Sequence, residues 1–342
     1  MRTRPLTCLC AGLILSLSGP VSGQHGALER LPGEILDVRA PSDRVSGAPG
    51  TMRIEDRACS AMPAAALRSR IVDTAVQEWA YFGFTLLDYT VATEPDTRSA
   101  GNRRRWSLLS PEQAGRVANS IAGYWAAAPD SSWILQRQNE RWNTLGLAAR
   151  WRDPWSAAFI SWVMCESGLG DTEHFARAIA HHTYIDQAIR ARDGESSGAA
   201  YVAYDTGEQS VLPGDLLCRG SRPAYRSLDE RRDHLGAGAR THCDIVVKVD
   251  EDKPGFYVIG GNVRGTVGMK LLPAARTAAG FLQPLPYDRR QIFAHLQLQA
   301  DPIPLDALAA SPVMQAAGCS LATTPPLIVR QDAPRETSST AC

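Results

Sequence analysis

The sequence predicts an α+β protein in which a helical N-terminal half packs on a small antiparallel β-sheet. Between residues 64 and 192 apolar residues recur at three- and four-residue intervals, the period of amphipathic helices. After Gly198 the texture changes to short alternating runs bounded by turn residues, the period of strands with one buried face. A helical run followed by a meander of strands is the α+β pattern, and no internal repeat is visible.

Residues 1–23 read as a secretory signal peptide. Met1-Arg2-Thr3-Arg4-Pro5 is basic, Leu6 to Leu17 is apolar, and Ser18-Gly19-Pro20-Val21-Ser22-Gly23 offers small residues for cleavage. The apolar run is too short to span a bilayer comfortably, and Cys8 and Cys10 lie too early for a lipid-bearing cysteine. The mature chain is therefore expected near Gln24 onward, periplasmic or secreted, with no integral membrane span.

Cleavage removes two arginines and no acid from 36 basic and 36 acidic residues, which leaves a formal charge of −2. That balance recruits no nucleic acid. Arg103-Arg104-Arg105 beside Trp106 is a short basic run without wider excess and reads as a solvated loop.

Residues 24–62, rich in Gly, Pro, Ser and Arg, read as a mobile leader. The globular domain is placed at 63–300. Its first helices are expected at 64–84, 111–127 and 131–147, and the aromatic residues on them belong to core and groove wall. The next helix is the best determined. Trp155, Ala158, Phe159, Trp162 and Val163 form one apolar stripe, Asp153 and Pro154 suit the cap and first position, and Gly168 or Gly170 can close the far end. A further helix is expected at 174–192. Pro213-Gly214-Asp215 then turns the chain into a strand at 216–218, and 221–240 reads as a long loop. Strands are expected at 242–250, 256–262, 267–272 and 292–299. In the first of these Cys243, Ile245, Val247 and Val249 share one face, and His242, Asp244, Val246 and Lys248 the other. Residues 301–342 form a Pro/Ala-rich, partly ordered tail.

Six cysteines follow the signal segment: Cys59, Cys165, Cys218, Cys243, Cys319 and Cys342. An oxidising compartment allows up to three disulfides, with the pairing left open; Cys59 near the start and Cys319 or Cys342 near the end could each staple a chain end to the body. Cys165 extends the apolar stripe and reads as buried rather than reactive. No CxxC pair supports a structural zinc.

Ser156 lies in the first turn of its helix, where free N–H groups and the dipole favour charge developing on an attacked carbonyl oxygen. A serine hydroxyl needs a base, and the base needs a third group to orient it. Among seven histidines, His242 at a strand start is the candidate base, with His174, His181 and His182 as rivals. Asn262 after Gly260-Gly261, or Asp244 on the face of His242, is the candidate orienting group. Trp155, His181 and Tyr184 are candidate substrate contacts. Serine in a first turn is also a common plain cap.

Trp155-Ser156-Ala157-Ala158-Phe159-Ile160-Ser161-Trp162, Pro213-Gly214-Asp215-Leu216, His242-Cys243-Asp244-Ile245-Val246-Val247 and Gly261-Asn262 come in an order that resembles the papain-like bacterial cell-wall hydrolases of the NlpC and CHAP type. The chain is more closely similar to the bacterial family called domain of unknown function 2272, over roughly residues 68 to 300. The resemblance implies a papain-like fold and an exported hydrolase of amide or peptide bonds in peptidoglycan. The triad positions would be Ser156, His242 and Asn262, with Asp244 as the substitute, and the Ser156 N–H would help form an oxyanion hole. Those enzymes carry cysteine where this chain has Ser156. A serine stays protonated until it attacks, so the site is either a serine version or a groove that binds cell-wall peptide without cutting it. A third reading is a zinc hydrolase built on His181 or His182, Asp186, His242 and Asp244, without a compact ligand motif. The leading reading needs no cofactor or metal and expects a monomer acting on peptidoglycan or peptide.

Overall fold

The computed structural model describes residues 27–61, 66–91, 107–323 and 328–329 of the chain. The signal segment, Arg103 to Arg105 and Cys342 lie outside the described residues. Cys319 falls within a described helix, without a described side chain.

The stretch expected as a mobile leader packs on the body from residue 27 onward. It carries one helical turn, α1 (Gly33–Leu36), and a two-stranded ribbon of β1 (Val45–Ser46) and β2 (Arg53–Ile54). Its anchors are too irregularly spaced to show a period: Leu36, Val38, Val45 and Met52 are buried, and Arg44 is buried against Glu166, with Nε 3.0 Å from Oε1. A disulfide from Cys59 to Cys165 fixes its end. That bond ties the N-terminal stretch to the helical core, as expected of Cys59. A second disulfide joins Cys218 to Cys243.

The helical half follows. α2 (Leu67–Tyr81) precedes a short strand, β3 (Leu86–Asp88), and the helix expected at 111–127 divides into α3 (Pro111–Arg116) and α4 (Ala118–Ala127). Ser110 opens α3 with a capping box to Gln113. Gly123 on α4 lets the Pro41 carbonyl approach so closely that a β-carbon there would sit 1.7 Å from its oxygen. α5 (Ser132–Leu145) is followed by α6 (Ser156–Glu166) and α7 (His182–Arg192). The last is shorter than the span 174–192 expected, because residues 174–181 run as loop and turn up to His181 at the cap.

α6 is buried on every side, not only along its stripe. It lies between α4, α2 and the sheet strands β6 (Arg240–Asp250) and β7 (Gly255–Val263). Its start also differs from the expected one. Trp155 is the cap residue and no side chain caps the first N–H groups, because Asp153 is drawn away to Arg137 and Arg141, the latter at 2.8 Å. At the far end Gly168, with φ 94°, turns the chain out, and the Leu169 N–H donates to the Met164 carbonyl at 2.9 Å.

The sheet is larger than expected and mixed. β4 (Tyr201–Tyr204), β5 (Leu216–Arg222), the helical turn α8 (Leu228–Arg232), β6, β7, β8 (Thr266–Arg276), β9 (Leu282–Pro284) and β10 (Ile292–Leu298) come before α9 (Ala307–Ala310), α10 (Pro312–Thr323) and β11 (Ile328–Val329). The spatial order is β11-β3-β8-β7-β6-β5-β10-β4, with β9 beside β8. The β3–β8 and β11–β3 pairs are parallel and the others antiparallel. The fold class is thus α+β. In β6 the expected alternation holds as far as Val247. An irregularity between Val246 and Lys248 then reverses it, so Val249 joins Val246 in the apolar cluster on the outer face.

Candidate active site

Four adjacent strands bring five polar groups to the same wall. Arg219 comes from β5, His242 and Asp244 from β6, Asn262 from β7 and Lys270 from β8. The start of α6 lies against this wall, and between them opens a cavity of about 990 Å³ lined by Trp155, Ser156, Arg219, His242, Asn262 and Lys270 among others. Ser156 and His242 are each 9% exposed, so both reach the cavity from a nearly dry floor.

The Ser156 hydroxyl does not rest free. Oγ lies 2.7 Å from Nε2 of His181, the cap residue of α7. The expected hydrogen bond between Ser156 and His242 is not formed: the hydroxyl is taken by a second imidazole, whose ring centre is 5.1 Å from that of His242. The Cys243 backbone N–H, which can only donate, donates to Nδ1 of His181 at 3.2 Å, and the Tyr184 hydroxyl bonds the same nitrogen. Nδ1 is thus an acceptor and the ring proton sits on Nε2, so His181 donates to Ser156. Burial, together with the nearby His242, holds His181 well below the usual imidazole range and keeps it neutral.

His242 is oriented the other way. Its Nε2 lies 2.9 Å from Oδ1 of Asp244, a carboxylate that accepts the ring proton. Lys270 places Nζ 2.7 Å from both oxygens of Asp244 and 3.1 Å from the same imidazole nitrogen. Asp244 can only accept and the Lys270 ammonium can only donate, so the two compete for this nitrogen; where Asp244 takes the Nε2 proton, the lone pair is left on Nδ1, which makes no hydrogen bond among the described residues. Burial lowers His242 to about 4 in spite of Asp244, which raises it. Asp244 is itself buried, yet His242 and Lys270 hold it far below the usual carboxylate range. Burial brings Lys270 down to about 8, against the pull of Asp244.

Glycines at two points make this geometry possible. A β-carbon at Gly260 would lie 1.9 Å from Oδ1 of Asp244, and one at Gly261 would lie 2.5 Å from Cβ of Phe159 on α6. The first lets the carboxylate stand beside His242, and the second lets the sheet press against the helix. Immediately afterwards Asn262 takes a left-handed φ of 56° at the cavity wall. It makes no hydrogen bond to His242, and Asp244 is the group that orients the ring.

Of the other expected contacts, Trp155 lines the cavity, and its ring stacks on Tyr124 with centroids 5.7 Å apart. His181 and Tyr184 do not line it; they stand behind Ser156 as a buried relay. Among the rival histidines, His182 lies 3.3 Å from the Ala239 carbonyl, and His174 is exposed. Asp215 of the Pro-Gly-Asp turn is structural: it binds Arg68 at 2.7 Å and His295 at 2.8 Å. The two carboxylates grouped for zinc are held by cations instead, since Asp186 accepts two bonds from Arg231 at 2.7 Å and Asp244 is taken by Lys270.

The role of His181 was hidden because His181 and His182 are indistinguishable by spacing. The pair His181 and Tyr184, three apart at a helix start, was the available signal. Lys270 was signalled more openly, as a lone charge inside the apolar run from Val267 to Leu272.

A family model described as "Uncharacterized protein conserved in bacteria (DUF2272)" matches residues 112–297. The chain belongs to that family. The matched segment of this DUF2272 protein contains Ser156, His181, His242, Asp244 and Lys270, so the whole polar cluster falls inside it. Searches of curated proteins and of solved structures return no match. No helix among the described residues is long and apolar enough to cross a membrane.

Proposed function

We propose that this DUF2272 protein is a hydrolase of amide or peptide bonds with Ser156 as nucleophile, His242 as general base and Asp244 as the group that orients the base. The observation that carries the reading is the Ser156 hydroxyl held at 2.7 Å by His181 on a cavity floor that it shares with His242. Because His181 is already the donor in that bond, the hydroxyl proton is free to go to the unoccupied Nδ1 of His242. Oγ then attacks the carbonyl carbon and the C–O bond forms. His181, neutral and proton-bearing, steadies the charge left on Oγ during transfer, a role for which a buried neutral imidazole is suited. The carbonyl oxygen becomes an oxyanion beside the uncapped N–H groups at the start of α6. His242 passes its proton to the leaving nitrogen as the C–N bond breaks. Water, deprotonated by the same ring, releases the acyl group and restores Ser156.

The fold expected for such a site is papain-like, and the order helix nucleophile, Pro-Gly-Asp turn, strand histidine supports that relation to the NlpC and CHAP enzymes, with serine replacing cysteine. On this reading the protein is exported by its N-terminal segment, and its substrate is peptide or amide linkage in peptidoglycan. A fluorophosphonate probe tests the nucleophile: it labels the natural protein, and Ser156→Ala loses the label. Digestion of purified cell wall tests the substrate. Release of fragments by the natural protein and not by Ser156→Ala supports the hydrolase. Release only by Ser156→Cys means that the groove binds without cutting.

A further inference from the structure

The cavity carries a cationic group that neither the fold nor the catalytic cluster employs. Arg219 lies directly opposite His242 in the β5–β6 ladder, so its side chain shares the face of that histidine. It lines the cavity, its Nε is buried without a hydrogen-bond partner, and the guanidinium makes no ion pair among the described residues. Arg150 and Arg264 line the same cavity and are likewise without ion pairs among the described residues. The lining contains one carboxylate, Asp288, and it is committed to Arg290 at 3.0 Å. Four lining residues that are not glycine hold left-handed backbone, with φ 39° at Arg150, 56° at Asn262, 52° at Arg264 and 42° at Asp288. Strain of that kind persists where surrounding structure enforces it, and it collects at ligand clamps.

A buried guanidinium nitrogen without a partner costs free energy comparable to a lost hydrogen bond, which a bound anion would recover. The planar fork of arginine matches a carboxylate through two parallel bonds. We propose that Arg219 anchors a carboxylate of the substrate next to the bond that Ser156 attacks, with Arg150 and Arg264 as the outer positive wall. The substrate class is thereby narrowed to acidic peptides. The proposal rests on the hydrolase reading for the words "substrate" and "bond", but binding of the carboxylate does not require turnover.

The test uses full-length Ser156→Ala protein and two end-capped tripeptides, Ala-Glu-Ala and Ala-Gln-Ala, with affinities measured by calorimetry. The acidic peptide is expected to bind about tenfold more tightly, the scale of one charge-assisted hydrogen bond. Arg219→Gln in the same background removes the preference. Arg226→Gln, at an exposed arginine outside the cavity, keeps it. Thermal melting separates anchoring from support: Arg219→Gln melts no earlier than its parent, since no internal bond is lost. Equal binding of the two peptides, including no binding of either, overturns the proposal, as does a preference that survives Arg219→Gln. Failure of cell-wall digestion with the acidic preference intact would instead count against the hydrolase reading alone.

Discussion

The backbone N–H of Cys243 donates to Nδ1 of His181 at 3.2 Å, and this bond decides which nitrogen of His181 carries the proton. The consequence passes through the ring to Ser156, whose oxygen receives a hydrogen bond instead of giving one. His181 is thereby the donor to that hydroxyl, and the part of acceptor is left to His242 in the proposed mechanism.

The two roles separate in kinetics. His242→Ala is expected to lower kcat by about 10²–10⁴-fold, the usual contribution of a positioned general base. His181→Phe keeps the base and loses the donor, and is expected to cost about 10²-fold with KM little changed. Steady-state assays on an amide substrate check both. Equal loss in His242→Ala and His242→Asn with no loss in His181→Phe would remove His181 from the mechanism.

The acid limb of the pH profile should fall near pH 4. His242 is lowered to about 4, so its lone pair is available above that value and is lost to protonation below it. Stability follows the same direction. The unfolded ring takes a proton near its ordinary value of about 6.5, whereas the folded ring resists until about 4. The unfolded state therefore binds more protons across that window, and stability declines as pH falls from about 6.5 to 4. His181, which burial also holds well below the usual imidazole range, adds to the decline. Chemical denaturation at a series of pH values measures the slope.

Gly260→Ala is expected to lower activity sharply while leaving a folded protein. The added methyl would meet Oδ1 of Asp244 at 1.9 Å, so the carboxylate must leave His242 or the strand must shift. The loss should appear in kcat, and the pH limb near 4 should move down as the ring loses the partner that raised it. An unchanged limb in the residual activity would mean that the strand moved and the carboxylate did not.

Asp73 on α2 offers a stability gain away from the cavity. Burial raises its carboxyl to about 6, so at pH 7 the folded protein holds a charge that the site disfavours. Asp73→Asn should stabilise by about 1–3 kcal/mol at pH 7. The sign follows from the folded state holding the proton longer: the advantage is full above about 6 and shrinks to nothing below the ordinary carboxyl range. Thermal melts at pH 7 and pH 4 compare the two conditions.

Much of this was legible in the chain. The α6 stripe from Trp155 to Val163 and the alternation that puts His242 and Asp244 on one face of β6 follow from period alone, and the strands at Phe256, Val267 and Ile292 are placed within a few residues. What escaped has physical causes. β3 and β4 are three and four residues long, too short for alternation to register, and β3 joins the sheet in parallel from the helical half. Asp153 looked like a cap because its neighbours are right for one, but two arginines on α5 compete for it through space. The leader at 27–61 is held by scattered apolar anchors, by the Arg30–Glu78 and Arg44–Glu166 ion pairs and by one disulfide, none of which leaves a periodic trace. His181 reaches Ser156 from 25 positions away, at the cap of another helix.

The enclosure of α6 divides its amides into two populations for deuterium labelling. From Phe159 onward each N–H is tied to the turn before it and covered by α2, α4 or the sheet, so it exchanges only when the entire body opens. The N–H groups of Ser156, Ala157 and Ala158 have no turn before them and exchange through the cavity. A single helix thus records both clocks: its interior times global opening, and its first three amides time the arrival of whatever fills the space above them.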